Sequence, residues 1–355
     1  MALPEGVWSV EERSAALQQL GRVMAAIGEG RYWPGHTIGL GEAEYAALDH
    51  AVRNAERING WATEANVRHA FSAWATALAH VPTWLAAYPA LATHRSPRTV
   101  GLVLAGNIPL VGLHDVLTVW AAGHRAVVKC SSQEPELIPA LVQVLDHFAA
   151  GTRHRITFTT GKLGPVDAVI ATGSNNTARY FEHYFGHLPR IVRRGRVSVA
   201  LLDGTETDEE LAALGEDVFR YFGLGCRNVA KVLLPQDFDL DRLFRAFYPW
   251  HEVALHTKYG NNLDYNRALW LLDRVPFLEN GFLLMRESAD LHSATATLHY
   301  ERYTDRAAAE DGLRAQADAI QCIVGHGHVP FGRAQYPGLM DHADGVDTMQ
   351  FLLGL

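Results

Sequence analysis

Short apolar strands alternate with helices between Arg98 and Ala171, and no other feature of the sequence narrows the choice of fold as far. The segments "TVGLVLA" (99–105), "AVVKC" (126–130) and "DAVIA" (167–171) are near-continuous apolar runs rather than alternating ones. Strands of that kind are buried on both faces. Between them, one helix carries Pro109 in its first turn and stops at Gly123, and a second runs over 134–149. "TGSNNTARYFEHYF" then opens another helix directly after the third strand. The pattern predicts an α/β chain built on a parallel sheet with helices on both faces.

The flanking sequence has a different texture. Residues 9–95 read as helices alone, over 11–27, 42–58 and, with breaks, 64–91. Beyond the sheet block, "VSVALLDG" reads as a strand, and Thr207 with Glu210 forms a capping-box start for a helix. That helix carries Leu211, Leu214, Val218 and Phe222 on one face and stops at Gly223. "VAKVLLP", "FLLMRES" and "TATLHYERY" follow as strands, with "LDRLFRAFY" and "NRALWLLDRV" as helices.

Composition removes several classes of function. A chain of 355 residues, 48% hydrophobic, is long enough to bury two cores. Its net charge of -8 comes from mixed acidic and basic residues with no basic stripe, so nucleic acid is not an expected partner. Three widely separated cysteines argue against a disulfide framework and for a reducing compartment. The first residues lack the basic-then-apolar order of a signal peptide. The most apolar segment, 99–130, is broken by Asn107, Pro109, His114, Asp115 and His124 short of the ~20 apolar residues of a membrane span. The expectation is a cytoplasmic protein with no membrane span.

Chemistry concentrates at "YFGLGCRNVAKVLLP", 221–235, where Cys226 stands between glycines and an Arg-Asn pair. A thiol attacks as thiolate, which neighbouring positive charge such as Arg227 favours. Gly223 and Gly225 allow a sharp bend that turns the Cys226 amide and sulfur to one cavity, where the amide could stabilise an oxyanion. A buried cysteine at a helix stop is the alternative, and the segment alone leaves both open. The strand ends add polar groups where open parallel sheets bind ligands. Asn107 follows the first strand, Lys129 and Ser131 end the second, and Gly173 with Ser174 end the third at a helix N-terminus suited to a pyrophosphate. Each has a plainer role as turn residue, solvated charge or cap. Their repetition favours a dinucleotide site.

With these residues in view, the sequence resembles the aldehyde dehydrogenase superfamily. More narrowly, it is similar to the long-chain acyl-CoA reductases, the family that includes the reductase component of the bacterial luminescence fatty-acid reductase. The likeness runs over roughly 60–355 and rests on "AGNIPLVGLHD", "DAVIATGSNNTARYF", "YFGLGCRNVAK", "KYGNNLDYN" and "FGRAQYP...ADGVDTMQFL". It implies an aldehyde dehydrogenase-like fold in three parts. Residues 1–195 would form a helical N-terminal region and a Rossmann-type nicotinamide-dinucleotide domain, 196–330 an α/β catalytic domain, and 331–355 a segment returning to the domain interface. It implies Cys226 as nucleophile, Asn107 as oxyanion donor, Lys129 and Ser131 at the adenosine ribose, Gly173 and Ser174 at the pyrophosphate, and NADPH or NADH as cofactor. The substrate implied is a fatty acyl-CoA, reduced to a fatty aldehyde through a thioester intermediate. An acyl-activating partner enzyme and a homodimer are left open.

The departures from the superfamily are as informative. Aldehyde-oxidising members carry a glutamate in an E-L-G-G segment, as base for hydrolysis; the comparable stretch here is "VRRGRVS". Arg193, Arg194 and Arg196 there are candidates for CoA or 2′-phosphate contacts, or for a solvated basic face. Asp290 is the one candidate for a nicotinamide-ribose acid. Asn261, Asn262 and Asp264 read as helix caps, with Lys258 and Tyr259 as alternative CoA contacts. Competing readings are an aldehyde dehydrogenase working oxidatively, a cysteine acyltransferase without redox chemistry, and a metal module on His326, His328, Asp341, His342 and Asp344, whose spacing matches no familiar ligand set.

Overall fold

Local capping fixes the first helix: Ser9 Oγ accepts from the Glu12 amide at 3.1 Å and the Glu12 carboxylate accepts from the Ser9 amide at 2.7 Å. The helices Val10–Gly28, Glu42–Ile58 and Glu64–Leu78 follow the expected periodicity within a residue or so. The stretch expected to continue to Leu91 breaks into Val81–Ala86 and a 3-10 turn, Pro89–Ala92, each with a proline in its first turn. The computed structural model describes residues 8–93, 96–173 and 175–355, excluding the side chains of 175–178. The chain divides into two compact units, Met1–Arg194 with Tyr336–Leu355, and Gly195–Gln335.

In the first unit, strands β1 (Thr99–Val103), β2 (Arg125–Lys129), β3 (Ile156–Phe158), β4 (Ala168–Thr172) and β5 (Arg190–Arg193) lie in the order β3-β2-β1-β4-β5. Every neighbour is parallel, as the uninterrupted apolar runs require. Val103 pairs with both Lys129 and Ala171, so the carboxyl ends of β2, β1 and β4 share one edge. Val100, Leu102, Val128 and Ala168 to Ala171 are buried on both faces. The helix expected to start near Pro109 instead spans Leu113–Ala121. Its start is delayed because Leu110 takes a left-handed conformation (φ 60°) and gives its N–H to the Glu134 carboxylate.

One buried ion pair ties this unit together. Arg193 Nη2 lies 2.6 Å from Asp115 Oδ1, and the guanidinium also donates to Thr348 Oγ1 and to the Ala343 carbonyl. Burial alone would raise the Asp115 carboxyl, but the Arg193 charge together with hydrogen bonds from His114 and Arg193 outweighs it and holds the group well below the usual carboxylate range.

The second unit carries β6 (Val197–Leu201), β7 (Val229–Pro235), β8 (Leu278–Glu279), β9 (Leu284–Glu287), β10 (Thr297–Tyr303) and β11 (Ile320–Val324). Their order is β11-β6-β7-β10-β9-β8, parallel except for the short β8 against β9. The Thr207 and Glu210 capping box opens the helix Asp208–Phe219 as expected, and Leu211, Leu214 and Val218 join Val232, Leu234, Leu243 and Phe247 in the core. That helix stops at Phe219 rather than Gly223, so Phe222 does not continue its apolar face. The helix expected over "NRALWLLDRV" begins earlier and spans Thr257–Leu272. Among the described residues, no helix is long and apolar enough to cross a membrane.

Removing one partner of a buried ion pair strands the other charge. Asp115→Ala is therefore expected to lower the unfolding free energy by about 3–5 kcal/mol near neutral pH, read from urea denaturation. Because the folded-state carboxyl titrates below its unfolded value of ~3.9, its contribution is present above that pH and lost as pH falls further. The gap between parent and variant should narrow on acidification; a gap that stays constant contradicts the pair's role.

Candidate active site

The edge formed by the carboxyl ends of β2, β1 and β4 gathers most of the residues singled out for cofactor binding. Past β1, the chain runs through Gly106, where any Cβ would lie 2.6 Å from the Ser131 Cβ. Only glycine lets the loop after β1 settle onto the loop after β2. Asn59, at the C-cap of Glu42–Ile58, donates its amide to the Gly106 carbonyl at 3.2 Å, and Glu134 Oε1 accepts from Leu110 at 2.5 Å. The loop that bears Asn107 is thus held on both sides of that residue. Asn107 itself is exposed.

Lys129 is exposed at the end of β2. Ser131 is half-buried, and its hydroxyl accepts from the Gln133 amide at 3.2 Å, a local turn bond. Gly173 is half-buried beyond β4, and its N–H donates to the Arg193 carbonyl at 3.3 Å. That amide is engaged with β5. Ser174 lies outside the described residues. Cys130, next to Lys129, is the opposite of a reactive thiol, since burial and then the nearby Glu134 push it up to about 12.

Cys226 belongs to the second unit, in the connection between the helix Asp208–Phe219 and β7, and is half-buried. The bend ahead of it is sharper than the glycine spacing suggested. Tyr221 (φ 54°), Phe222 (φ 58°) and Gly223 (φ 75°) occupy the left-handed region in succession, whereas Gly225 does not. Each non-glycine residue there is disfavoured by roughly 1–2 kcal/mol, so the turn persists only because its surroundings over-determine it. Both aromatic side chains are buried. Phe222 stacks on His256 with ring centroids 4.2 Å apart.

Asn228 supplies the remaining hold. Its Oδ1 accepts from the Gly225 amide at 2.8 Å, and its Nδ2 reaches the carbonyls of Arg220 (2.8 Å), Asp217 (3.1 Å) and Val218 (3.4 Å). Ser198, fully buried on β6, donates its hydroxyl to the Cys226 carbonyl at 3.0 Å. Asp217 accepts from the amides of Gly332 and Ala334 at 2.7 and 2.8 Å, and Arg227 Nε donates to the Ala334 carbonyl. Sequence reasoning passed over Asn228, Ser198 and Glu134. The one available signal was a polar residue abutting an apolar strand, as in "RNVAKVLLP".

Several expectations need correction. Arg193 is neither a phosphate ligand nor part of a solvated face, because it is consumed by the buried pair with Asp115. Arg194, exposed and paired with Glu182, fits the solvated-face alternative, while Arg196 donates to the carbonyls of Ala317 and Ile320, both at 3.2 Å. The segment 258–264 lies within the helix Thr257–Leu272, whose cap is His256, so Asn261, Asn262 and Asp264 are not caps. Tyr259 is core: its hydroxyl donates to the Phe282 carbonyl at 2.9 Å. Asp290 is exposed, and its main-chain carbonyl lies 3.0 Å from His299 Nδ1.

The metal candidates fall on both units, His326 and His328 on the second, Asp341, His342 and Asp344 on the first. His326 sits between Asp203 Oδ2 (2.9 Å) and Glu210 Oε1 (3.0 Å), whose hydrogen bonds raise its pKa above the ordinary value. Among the described residues, Asp203, Glu206 and His326 bring ligand-type atoms within 4.8 Å of one another. Arg306 already pairs with Asp203 at 2.9 Å, and both Glu206 oxygens accept backbone amides. That arrangement is an ion-pair network.

No family profile and no curated protein matches the sequence. Solved structures do match. An NADP-dependent enzyme of E. coli superimposes with a TM-score of 0.63 at 15% identity, over 90% of this chain and 73% of that one. HpcC from Thermus thermophilus gives 0.62 at 14% identity, over 90% and 70%. An NAD-dependent aldehyde dehydrogenase from Sinorhizobium meliloti gives 0.58 at 12% identity, over 89% and 74%. The chain has the aldehyde dehydrogenase-like α/β fold expected from its sequence, with an all-parallel Rossmann-like sheet and a second, mixed sheet.

Two buried carboxyls beside these loops make the geometry testable. Burial lifts Glu134 to about 8 against the pull of the Leu110 amide, and lifts Asp217 to about 7 despite the amides of Gly332 and Ala334. Between about pH 5 and pH 8 the unfolded chain sheds protons that the folded chain keeps, so stability falls as pH rises through that window. Glu134→Gln keeps an acceptor for Leu110 and removes the proton, so its loss of urea midpoint across the window is expected to be smaller than the parent's. Equal losses would show that Glu134 is not held protonated.

Proposed function

We propose that the protein is an acyl-CoA reductase that converts a fatty acyl-CoA to the aldehyde with NADPH or NADH, through an acyl-cysteine intermediate. The observation that carries this reading is the placement of Cys226 directly after a left-handed turn fixed by buried polar side chains. Strain of this kind clusters at functional sites. The fold adds weight, since it is shared with proteins described as NAD- or NADP-dependent enzymes.

The Cys226 thiolate attacks the thioester carbonyl carbon, and the carbon–sulfur bond to CoA breaks as CoA leaves with the electron pair. The Asn107 amide, on its braced loop, and the Cys226 N–H stabilise the oxyanion that forms on attack. At the sheet edge, the exposed Lys129 ammonium has the donor chemistry to hold ribose hydroxyls, with the loops around Gly106 and Ser131 packed close beside it. When bound, NADPH or NADH would supply the hydride that the acyl carbon requires. Cys226 is then expelled as thiolate from the hemithioacetal, releasing aldehyde. Acyl-CoA, reduced nicotinamide and one proton thus give aldehyde, CoA and oxidised nicotinamide. The arginine-rich "VRRGRVS" supports the reductive direction, because a base that activated water there would waste the acyl group; Arg193 within it is locked to Asp115.

The second reading is oxidation of an aldehyde, favoured by the activity named for the Sinorhizobium neighbour. Assays of nicotinamide reduction by aldehyde, with and without CoA, separate the two: CoA-independent oxidation supports the second. Under the first reading, Cys226→Ala is expected to abolish aldehyde formation, and Asn107→Ala to lower kcat by roughly 10²-fold, the usual effect of deleting one oxyanion donor. Near-parental turnover by Cys226→Ala rules the mechanism out.

A further inference from the structure

Asn228 is 3% exposed, and every hydrogen bond of its side chain goes to the main chain of residues 217–225. Three of those bonds hold the carbonyls of Asp217, Val218 and Arg220, where the helix ends; the fourth holds the Gly225 amide, one residue before the thiol. The left-handed run Tyr221, Phe222 and Gly223 lies between these anchor points. A single amide therefore closes the loop at both ends. Its backbone N–H adds a bond to the Gly225 carbonyl at 3.0 Å.

Ser198 acts on the other side of the same peptide. The β6–β7 ladder shifts register between Ser198 and Val199, and the β6–β11 ladder shifts between Ile320 and Ile323. At that double irregularity the Ser198 hydroxyl accepts from the Cys322 amide at 3.2 Å and donates to the Cys226 carbonyl at 3.0 Å. The sheet thus breaks register on both sides of one buried serine, and that serine is bound to the main chain of the residue carrying the thiol.

We propose that Asn228 is a positioning residue for Cys226: its amide, aided by the Ser198 hydroxyl, fixes the strained turn so that the sulfur is presented in one reactive orientation. The inference rests on Cys226 being the nucleophile. Asn228 is buried and hydrogen-bonds only main-chain atoms with its side chain, so it would act through the main chain of the turn.

The test uses the whole protein with Asn228→Ala and Ser198→Ala. Two quantities are read at a temperature well below each melting transition: kcat and KM for acyl-CoA reduction, and the second-order rate of Cys226 alkylation by iodoacetamide, measured on its own peptide by mass spectrometry. For Asn228→Ala, kcat should fall roughly 10- to 100-fold with the nicotinamide KM held, since small misplacements of a reacting group are costly, and the alkylation rate should move by more than about threefold. A purely structural role would lower the melting temperature and leave both rates of the folded protein unchanged. Rates within about threefold of the parent overturn the proposal. If Asn228→Ala does not fold, Ser198→Ala, which deletes one hydroxyl, is judged by the same criteria. Should Cys226→Ala retain turnover, the function proposed above fails, while the alkylation rates still decide whether Asn228 positions the thiol.

Discussion

Parallel strands laid side by side bring their carboxyl ends to one edge, and that constraint organises the first unit. The pairing of Val103 with Lys129 and Ala171 puts the exits of β2, β1 and β4 in one row. Loops leaving adjacent strands in the same direction must then share space, and Gly106 shows how tightly they do so against Ser131. Anything bound at that edge meets side chains from three separate stretches of sequence. An antiparallel arrangement of the same strands would scatter them between two edges.

The second unit solves a different problem, holding a small polar residue in a bend that the backbone resists. Left-handed tyrosine and phenylalanine are unfavourable, yet Tyr221 and Phe222 bury their rings, and Phe222 finds a stacking partner in His256. Hydrophobic burial and the four bonds of Asn228 together offset the strain. The segment around His256, which the sequence read as carrying its helix caps at Asn261, Asn262 and Asp264, instead buttresses the turn: His256 caps one helix and supports the bend ahead of Cys226. Under the proposed function, a turn held this way would orient the thiol before substrate arrives, and orientation is a large part of what nucleophilic catalysis requires.

Much of this was legible in the sequence where the determinant is local. The Thr207 and Glu210 capping box, the strand Val229–Pro235 and the helix Glu42–Ile58 depend on neighbours a few residues away, and each lies where the pattern put it. What escaped depends on distant partners. Strand β5 reads "RIVR", with charged ends that suit a sheet edge and hide its period, and β3 exposes two of its three residues. Arg193 looked like a surface cation because its counter-charge, Asp115, is 78 positions away. Pro109 suggested a helix start that Glu134 displaced by capturing the Leu110 amide. Asn228 could be recognised only once the main chain of 217–225 was seen to fold back on it.

That Cys226 carries the acyl group between the thioester and the aldehyde is tested most directly by mass spectrometry of the Cys226 peptide. The protein is exposed briefly to long-chain acyl-CoA without nicotinamide, and NADPH or NADH is then added. An acyl adduct on that peptide, disappearing as aldehyde is released in equal amount, is the predicted result. Adduct on another residue, or an adduct on Cys226 that persists unchanged while aldehyde forms, would contradict it.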